Sequence, residues 1–426
     1  MKTFLLNFVT NTRCTCNTKM QCRHVLKSLD ISIHQIYHAF MIVRKAFKFK
    51  LKPTPEHRQT MAQTAGCVRL VWNKSLAKVK ESLDNKDGYK GYVPMAGELK
   101  NWKKEESTSF LKLVHSQPLQ QVLKDLDRAI RDGFKKKKGF PSFKKKGKEK
   151  AFRYPQGVKV DEGKVYLPKI GWVKFQDSRE IEGEIKNTTV SFYAGHWYVA
   201  FQTEFEKAEP VHSSTSEVGI DLGIAKFATV SDGQEIAPLN SLRRLENDLS
   251  KAQKSLARKQ KGSNNSKEQK YKVQKIYKKI VDVRQDFLHK VSTNLSKNHA
   301  VIVLEDLRIR NMSSSAKGTI EDPGRNVKAK SGLNKSILDQ GWYEFRRMLE
   351  YKQEWRGGKV IVVPAHHTSQ KCHKCGWTEK ANRKTQANFS CVKCGHSENA
   401  DLNAAKNILA AGSTVIACGD INSVAS

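Results

Sequence analysis

Apolar positions first fall into order near residue 41. The stretch Ala46-Phe47-Lys48-Phe49-Lys50-Leu51-Lys52-Pro53 alternates as a strand stopped by proline. From 54 to 82 the pattern turns helical: Thr54-Pro55-Glu56 marks an N-terminus, and Cys67, Leu70, Val71 and Leu76 share one side. A second helix is expected near 117–134, where positions 119, 122, 123, 126 and 130 keep the 3.6-residue period. Period two then governs 164–206, and the segment 189–193 turns at Ala194-Gly195 into 196–205, which predicts antiparallel strands and a hairpin. Residues 206–216 are polar and include Pro210, so a domain boundary is expected there.

Beyond that boundary, 218–221 and 227–230 read as strands, the second turned by Ser231-Asp232-Gly233. Leu242, Leu245, Leu249, Ala252 and Leu256 then step by three and four. After the turn Gly262-Ser263-Asn264-Asn265, a second helix carries Val273, Ile276, Ile280, Val283, Phe287, Val291 and Leu295. Together they predict a long, basic helical hairpin over 242–295. Fewer than three heptads are sustained, so the leucine stripe reads as intramolecular packing rather than a dimer zipper. A strand at 301–304, a Ser/Gly/Lys-rich loop over 312–335, a helix from about 337 to 355, a strand at 360–363 and an Ala-rich helix over about 402–411 follow. No repeat of 20–50 residues is visible.

Charge changes the picture. Among 426 residues, 77 Lys and Arg stand against 42 Asp and Glu, a net charge of +35 that calls for a polyanion. Nucleic acid is the usual one, and an anionic membrane surface the weaker rival. Apolar runs reach only four to six residues, too short to span a bilayer, so no membrane partner is expected. Hydrophobic residues at 38% exclude a wholly disordered polymer, and the length suits about three domain-sized units. Asn7 interrupts the apolar run at 4–9 and no small-residue cleavage site follows, so a cytosolic (cytoplasmic) protein is expected. Residues 1–40 show no period; removing their five positive and one negative charges leaves +31, and Met41 is a candidate start.

The densest charge lies between 135 and 153. Lys135, Lys136, Lys137, Lys138, Lys144, Lys145, Lys146, Lys148, Lys150 and Arg153 oppose a single acid, Glu149. Phe134, Phe140, Phe143 and Phe152 are interleaved, so the tract reads either as a nucleic-acid groove with stacking rings or as a solvated loop. We expect the lysines to contact backbone phosphates and most of the rings to pack into the core.

The nine cysteines include two Cys-x-x-Cys pairs, Cys372/Cys375 and Cys391/Cys394, fifteen residues apart, each followed by glycine. Four thiolates satisfy tetrahedral zinc and leave no open position, which predicts a structural ion; a redox dithiol is the alternative. His373 and His396 are then expected at the surface rather than as ligands. Cys14, Cys16, Cys22 and His24 match no standard knuckle spacing and read as chance.

Three acids share a setting. Asp221 ends the strand Val218-Gly219-Ile220-Asp221, Glu305 ends Val301-Ile302-Val303-Leu304-Glu305, and Asp401 begins the helix Asp401-Leu402-Asn403-Ala404-Ala405. Carboxylates beside apolar strands are not a solvated face, and several together repel unless divalent cations sit between them. Two Mg²⁺ ions held by such acids activate a water and stabilise the leaving oxygen of a phosphodiester. Asp306 competes with Glu305 on sequence alone.

With Lys45 to Glu56, Val71-Trp72-Asn73, Gln117-Pro118-Leu119-Gln120, Pro141-Ser142-Phe143-Lys144 and Thr368-Ser369-Gln370-Lys371-Cys372, these motifs resemble those of the TnpB family of transposon-encoded proteins (also called OrfB transposases), related to the RNA-guided type V CRISPR effectors. The resemblance runs from about Met41 to the C-terminus; residues 1–40 lie outside it. It implies a RuvC-like nuclease of the RNase H fold, split in sequence, with Asp221, Glu305 and Asp401 as its acids. It further implies a guide RNA derived from the transposon end, and cleavage of DNA beside a short adjacent motif. The expectation is therefore an α+β protein of two lobes. Residues 41–210 form a nucleic-acid recognition lobe, and 217–412 a RuvC-like domain interrupted by the hairpin and by a zinc ribbon at 366–398, with a tail at 413–426. A non-catalytic zinc-ribbon regulator of transposon DNA or RNA and a strand-transfer transposase are the rival functions.

Overall fold

The computed structural model describes residues 40–89, 91–146, 150–366 and 368–417. The Cys14, Cys16, Cys22 and His24 cluster and Lys148 lie outside them. Residues 44–204 and those from Pro210 onward belong to one compact unit, and residues 40–43 with Phe205–Glu209 to a second. The fold is mixed α+β, with a seven-stranded and a five-stranded sheet that each carry their own core, beside a small two-stranded one.

The first half forms β1 (Phe40–Lys52), helices α1 (Pro55–Asp84), α2 (Tyr92–Lys104) and α3 (Ser116–Phe134), then strands β2 (Lys150–Tyr154), β3 (Lys159–Asp161), β4 (Lys164–Leu167), β5 (Gly171–Phe175), β6 (Glu184–Tyr193) and β7 (His196–Ala208). Its seven-stranded sheet has the order β2-β6-β7-β1-β5-β4-β3. The predicted hairpin is present: Tyr193 pairs His196, and Ala194 and Gly195 take positive φ of 49° and 86°, as a two-residue turn between twisted strands requires. Leu119, Leu123, Leu126 and Ile130 of α3 are fully buried among Val71, Leu76, Phe152 and Phe201. Helix α2 and strand β2 are not evident from the sequence pattern. The first has Pro94 near its start, and the second is submerged in the lysine tract, although Phe152 and Tyr154 point inward.

The second half supplies β8 (Glu217–Leu222), β9 (Ala228–Val230), β10 (Glu235–Ile236), the hairpin α4 (Ser241–Ala257) and α5 (Asn264–Asn298), and β11 (Val301–Glu305). The short α6 (Ile309–Met312), then α7 (Val327–Gln340), α8 (Trp342–Glu354), β12 (Lys359–Val363), the small strands β13 (Asn388–Ser390) and β14 (Ser397–Asn399), and α9 (Ala400–Ala417) complete it. The five-stranded order is β10-β9-β8-β11-β12. Strands β8, β9 and β10 run antiparallel, whereas β11 lies parallel to both β8 and β12. In place of one helix over about 337–355, two meet at Gly341, whose φ of +74° breaks the run, and the first begins inside the expected loop at Val327. Helix α9 continues past the expected 411 to Ala417. Among the described residues, no helix is long and apolar enough to cross a membrane.

Two glycines set how closely α9 approaches this sheet. A Cβ on Gly219 of β8 would lie 2.2 Å from the Ala405 carbonyl oxygen and 2.5 Å from the Leu409 amide nitrogen. A Cβ on Gly412 would lie 2.4 Å from Val303 of β11. The helix therefore rests directly on the central strand pair, with Ala404, Ala405 and Ile408 buried beneath it.

Candidate active site and metal centres

Parallel pairing sets Leu304 against Ile220, so the next residues, Glu305 and Asp221, end neighbouring strands on the same edge. The close approach of α9 brings in Asp401 from its first turn, which the Asn399 side chain caps by accepting from the amides of Asp401 (3.0 Å) and Leu402 (3.3 Å). Electrostatics show the convergence. Burial, followed by the charges of Glu305 and Asp401, raises Asp221 to about 7. Burial also raises Glu305, against the pull of its Thr368 hydrogen bond and of Arg383. The three do not bring an oxygen each within the 4.8 Å that the cysteine sulfurs reach.

Asp306, the competing acid, faces elsewhere. Its carboxylate accepts from Arg346 Nη1 at 3.0 Å, on a helix remote from Asp221 in sequence, whereas Glu305 accepts from Thr368. Three further residues, whose contacts only the fold brings out, complete the surroundings. Arg383 reaches from the Cys-rich segment to within 3.7 Å of Asp401 Oδ1 and pulls against the rise of both Asp221 and Glu305. Asn403 and Asn407, one turn apart on α9, donate to the carbonyl of Lys371 at 2.8 and 2.6 Å, and Asn407 also to that of Thr368 at 2.9 Å. They fix the segment that presents Thr368 to Glu305.

The cysteines form two similar turns. Gly376 N donates to Cys372 O at 2.8 Å and Gly395 N to Cys391 O at 3.0 Å, with both glycines at φ near +70°. Cys372 and Cys394 sulfurs are 3.8 Å apart, and Cys375 and Cys391 sulfurs 3.5 Å. A tetrahedral ion with Zn–S of about 2.3 Å needs sulfurs about 3.8 Å apart, so the four fit zinc. The amides of Cys394 and then Lys393 pull the Cys391 thiol down while burial and the neighbouring cysteines push Cys375 up, as crowded sulfurs sharing protons must. His373 and His396 do not join this set, but the expectation that they are surface residues fails: both are partly buried and turn toward Glu398.

The lysine tract departs from expectation in its rings. Phe134, Phe140 and Phe143 are 51%, 41% and 46% exposed, and only Phe152 is in the core. They stack along the surface instead: Phe134 lies 5.9 Å from Phe140, and Lys80 sits over Phe143 at 4.8 Å. Lys135, Lys136, Lys137, Lys138, Lys145 and Lys146 are exposed, and Lys144 lies over Trp72 at 4.2 Å. Asn73 pins the Lys144 backbone from both sides, at 2.8 and 3.1 Å, which holds this part of the tract against α1.

Comparison with known proteins places the chain in a family. Residues 200–316 match the OrfB_IS605 family, described as "Probable transposase", 342–408 match "Cas12f1-like, TNB domain", and 41–87, here β1 and α1, match a family described as "Helix-turn-helix domain". The chain is 52% identical over 379 residues, 88% of its own length and 94% of the relative's, to "Putative RNA-guided DNA endonuclease InsQ" of Escherichia coli (strain K12). It is 35% identical over 386 residues, 89% of this chain and 92% of the other, to "Putative RNA-guided DNA endonuclease" of Streptomyces pristinaespiralis. Among solved structures, the mini-RNA-guided endonuclease CRISPR-Cas_phi3 aligns with a TM-score of 0.41 and 11% identity, over 96% of this chain and 98% of that one. The chain belongs to the IS605 OrfB family, the TnpB proteins.

Proposed function

We propose that this protein is an RNA-guided DNA endonuclease whose RuvC-like centre consists of Asp221, Glu305 and Asp401. One observation carries the reading: acids from three separate elements share a buried site, where burial first and the charges of Glu305 and Asp401 next raise Asp221 to about 7. A protein gains nothing from that arrangement unless cations relieve it, and hard carboxylate oxygens suit Mg²⁺. Bound there, Mg²⁺ supplies an acidified water and charge for the leaving oxygen of the phosphodiester. The chain's own residues do the rest. Thr368 fixes the orientation of Glu305, and Asn399 and Gly219 place Asp401. The Arg383 guanidinium, already at the cluster, is positioned to donate to a scissile phosphate.

In this reading the sheet and helices of residues 41–210 form a recognition lobe and 217–412 the nuclease. The exposed lysines at 135–138 and 145–146, with the partly buried Lys144, bind backbone phosphates of the guide RNA or target DNA. The guide derives from the transposon end, and DNA is cut beside a short adjacent motif.

The test is purification with the RNA of the flanking locus, followed by cleavage of a matched DNA. Asp221→Ala, Glu305→Ala and Asp401→Ala should each lower cutting by roughly 10²–10³-fold or more while RNA binding persists. The expected products are free ends. Joined strands would indicate transposase chemistry, and acid variants that keep full biological activity would indicate a non-catalytic regulator.

A further inference from the structure

Beside the four cysteines lies a second group of ligand-bearing side chains: His373, His396 and Glu398 each offer a ligating atom within 4.8 Å of the others. His373 follows Cys372 in the first turn, His396 follows Gly395 in the second, and Glu398 lies in β14 three residues before Asp401. His373 Nδ1 lies 2.5 Å and His396 Nε2 3.1 Å from the same oxygen, Glu398 Oε1. Yet His396 Nε2 and Glu398 Oε1 are buried atoms with no hydrogen-bond partner. The Glu398 side chain is only 10% exposed. Buried polar atoms left unsatisfied are rare and call for an explanation. Atoms that crowd together without hydrogen-bond geometry are arranged as ligands around a common point.

We propose that His373, His396 and Glu398 bind a divalent transition-metal ion, a second metal site on the ribbon, distinct from the four-cysteine centre. Two imidazoles and a carboxylate suit zinc, with cobalt or nickel as substitutes, rather than Mg²⁺. Ligands about 2.1 Å from one ion stand about 3.4 Å apart, so the closest pair has to open by less than about 1 Å. Surrounding groups already hold the ligands. Lys406 Nζ takes the other carboxylate oxygen at 2.7 Å, leaving Oε1 for the metal, and Asn403 Oδ1 accepts from the His373 amide at 3.1 Å and lies 3.2 Å from His373 Nδ1, a ring contact that metal binding through Nδ1 would replace. Such flanking bonds orient metal ligands. The bound ion would join both cysteine turns to the strand that enters α9, and so tie the ribbon to the helix that carries Asp401.

The test is zinc content of the full chain, equilibrated with excess Zn²⁺ and desalted into excess Mg²⁺, which keeps zinc off the Asp221, Glu305 and Asp401 cluster, read by elemental analysis. Two equivalents are expected for the wild type and one for His396→Gln and for Glu398→Gln. Cobalt substitution guards against misfolding. The sulfur-to-cobalt charge-transfer band of the four-cysteine site should be unchanged in His396→Gln, which keeps the Lys406–Glu398 pair, while the thiolate-free d–d absorption disappears. One equivalent in the wild type would overturn the proposal, as would a second equivalent that survives both substitutions; the cluster is then a protonated histidine–carboxylate network.

Discussion

Replacing Gly219 by alanine tests the contact on which the acid cluster depends. The new Cβ would sit 2.2 Å from the Ala405 carbonyl oxygen, where ordinary contact begins at 3.4 Å, so backbone must give way by 3.4 − 2.2 = 1.2 Å. The nearest atoms are main chain of α9 and the Leu409 Cβ, and no flexible side-chain end can absorb the strain. Moving the helix off β8 carries Asp401 away from Asp221 by about the same distance, and a misplacement of about 1 Å can cost about 10²-fold in rate. Overpacking of this kind also costs about 1–3 kcal/mol of stability. The expected result is a folded protein with a lower melting temperature, wild-type RNA binding and cleavage down by about 10²-fold. Single-turnover cleavage with saturating guide and target, beside a thermal melt, measures both. Wild-type cleavage together with an unchanged melt would show that Gly219 does not set the helix position.

Three further outcomes are expected. Asp221 is raised from 3.8 to about 7 in the folded protein, so the unfolded chain releases its proton first and metal-free stability falls as pH climbs between these values; the full shift corresponds to at most about 4 kcal/mol. Asp221→Asn should therefore raise the metal-free melting temperature at pH 8 and leave it unchanged at pH 4, and equal effects at both would refute the linkage. Cys391→Ser should release the four-cysteine zinc and lower the melting temperature, because metal affinity contributes folding energy, and elemental analysis with a thermal melt checks both. Replacing Lys144, Lys145 and Lys146 by alanine should weaken nucleic-acid binding irrespective of sequence and reduce the slope of log affinity against log salt by up to about two to three units. An unchanged slope and affinity would move the binding surface to the hairpin formed by α4 and α5.

The acids and cysteines were legible because local sequence carries their physics. One carboxylate at a strand end is ordinarily a turn or cap residue, but the order strand-Asp, strand-Glu, helix-Asp in a chain of +35 is far more specific, and a repeated Cys-x-x-Cys-Gly needs no tertiary context. Arg383 was not legible: one arginine among 77 basic residues acquires meaning only when the ribbon carries it to Asp401. His373 and His396 were misjudged because four sulfurs satisfy a zinc without them, and only folding adds Glu398. Helix α2 was overlooked because Met95, Leu99 and Trp102 make a thin apolar stripe behind Pro94. Phe134, Phe140 and Phe143 stay at the surface, where Phe134 meets Tyr89 and Phe140 and Lys80 covers Phe143, contacts that no local pattern announces.

The helix that docks on Gly219 also imposes an order in time. Asp401 follows Asp221 by 401 − 221 = 180 residues, and at about 5–20 residues per second the ribosome needs about 10–40 s to cross that interval. The seven-stranded sheet and the lysine tract are complete before β8 is synthesised, whereas the acid cluster lacks its third member until α9 emerges and settles on the strands. On the proposed function, a nascent chain would engage RNA well before it could cut anything. Cleavage would then be withheld by chain order alone, without an inhibitor.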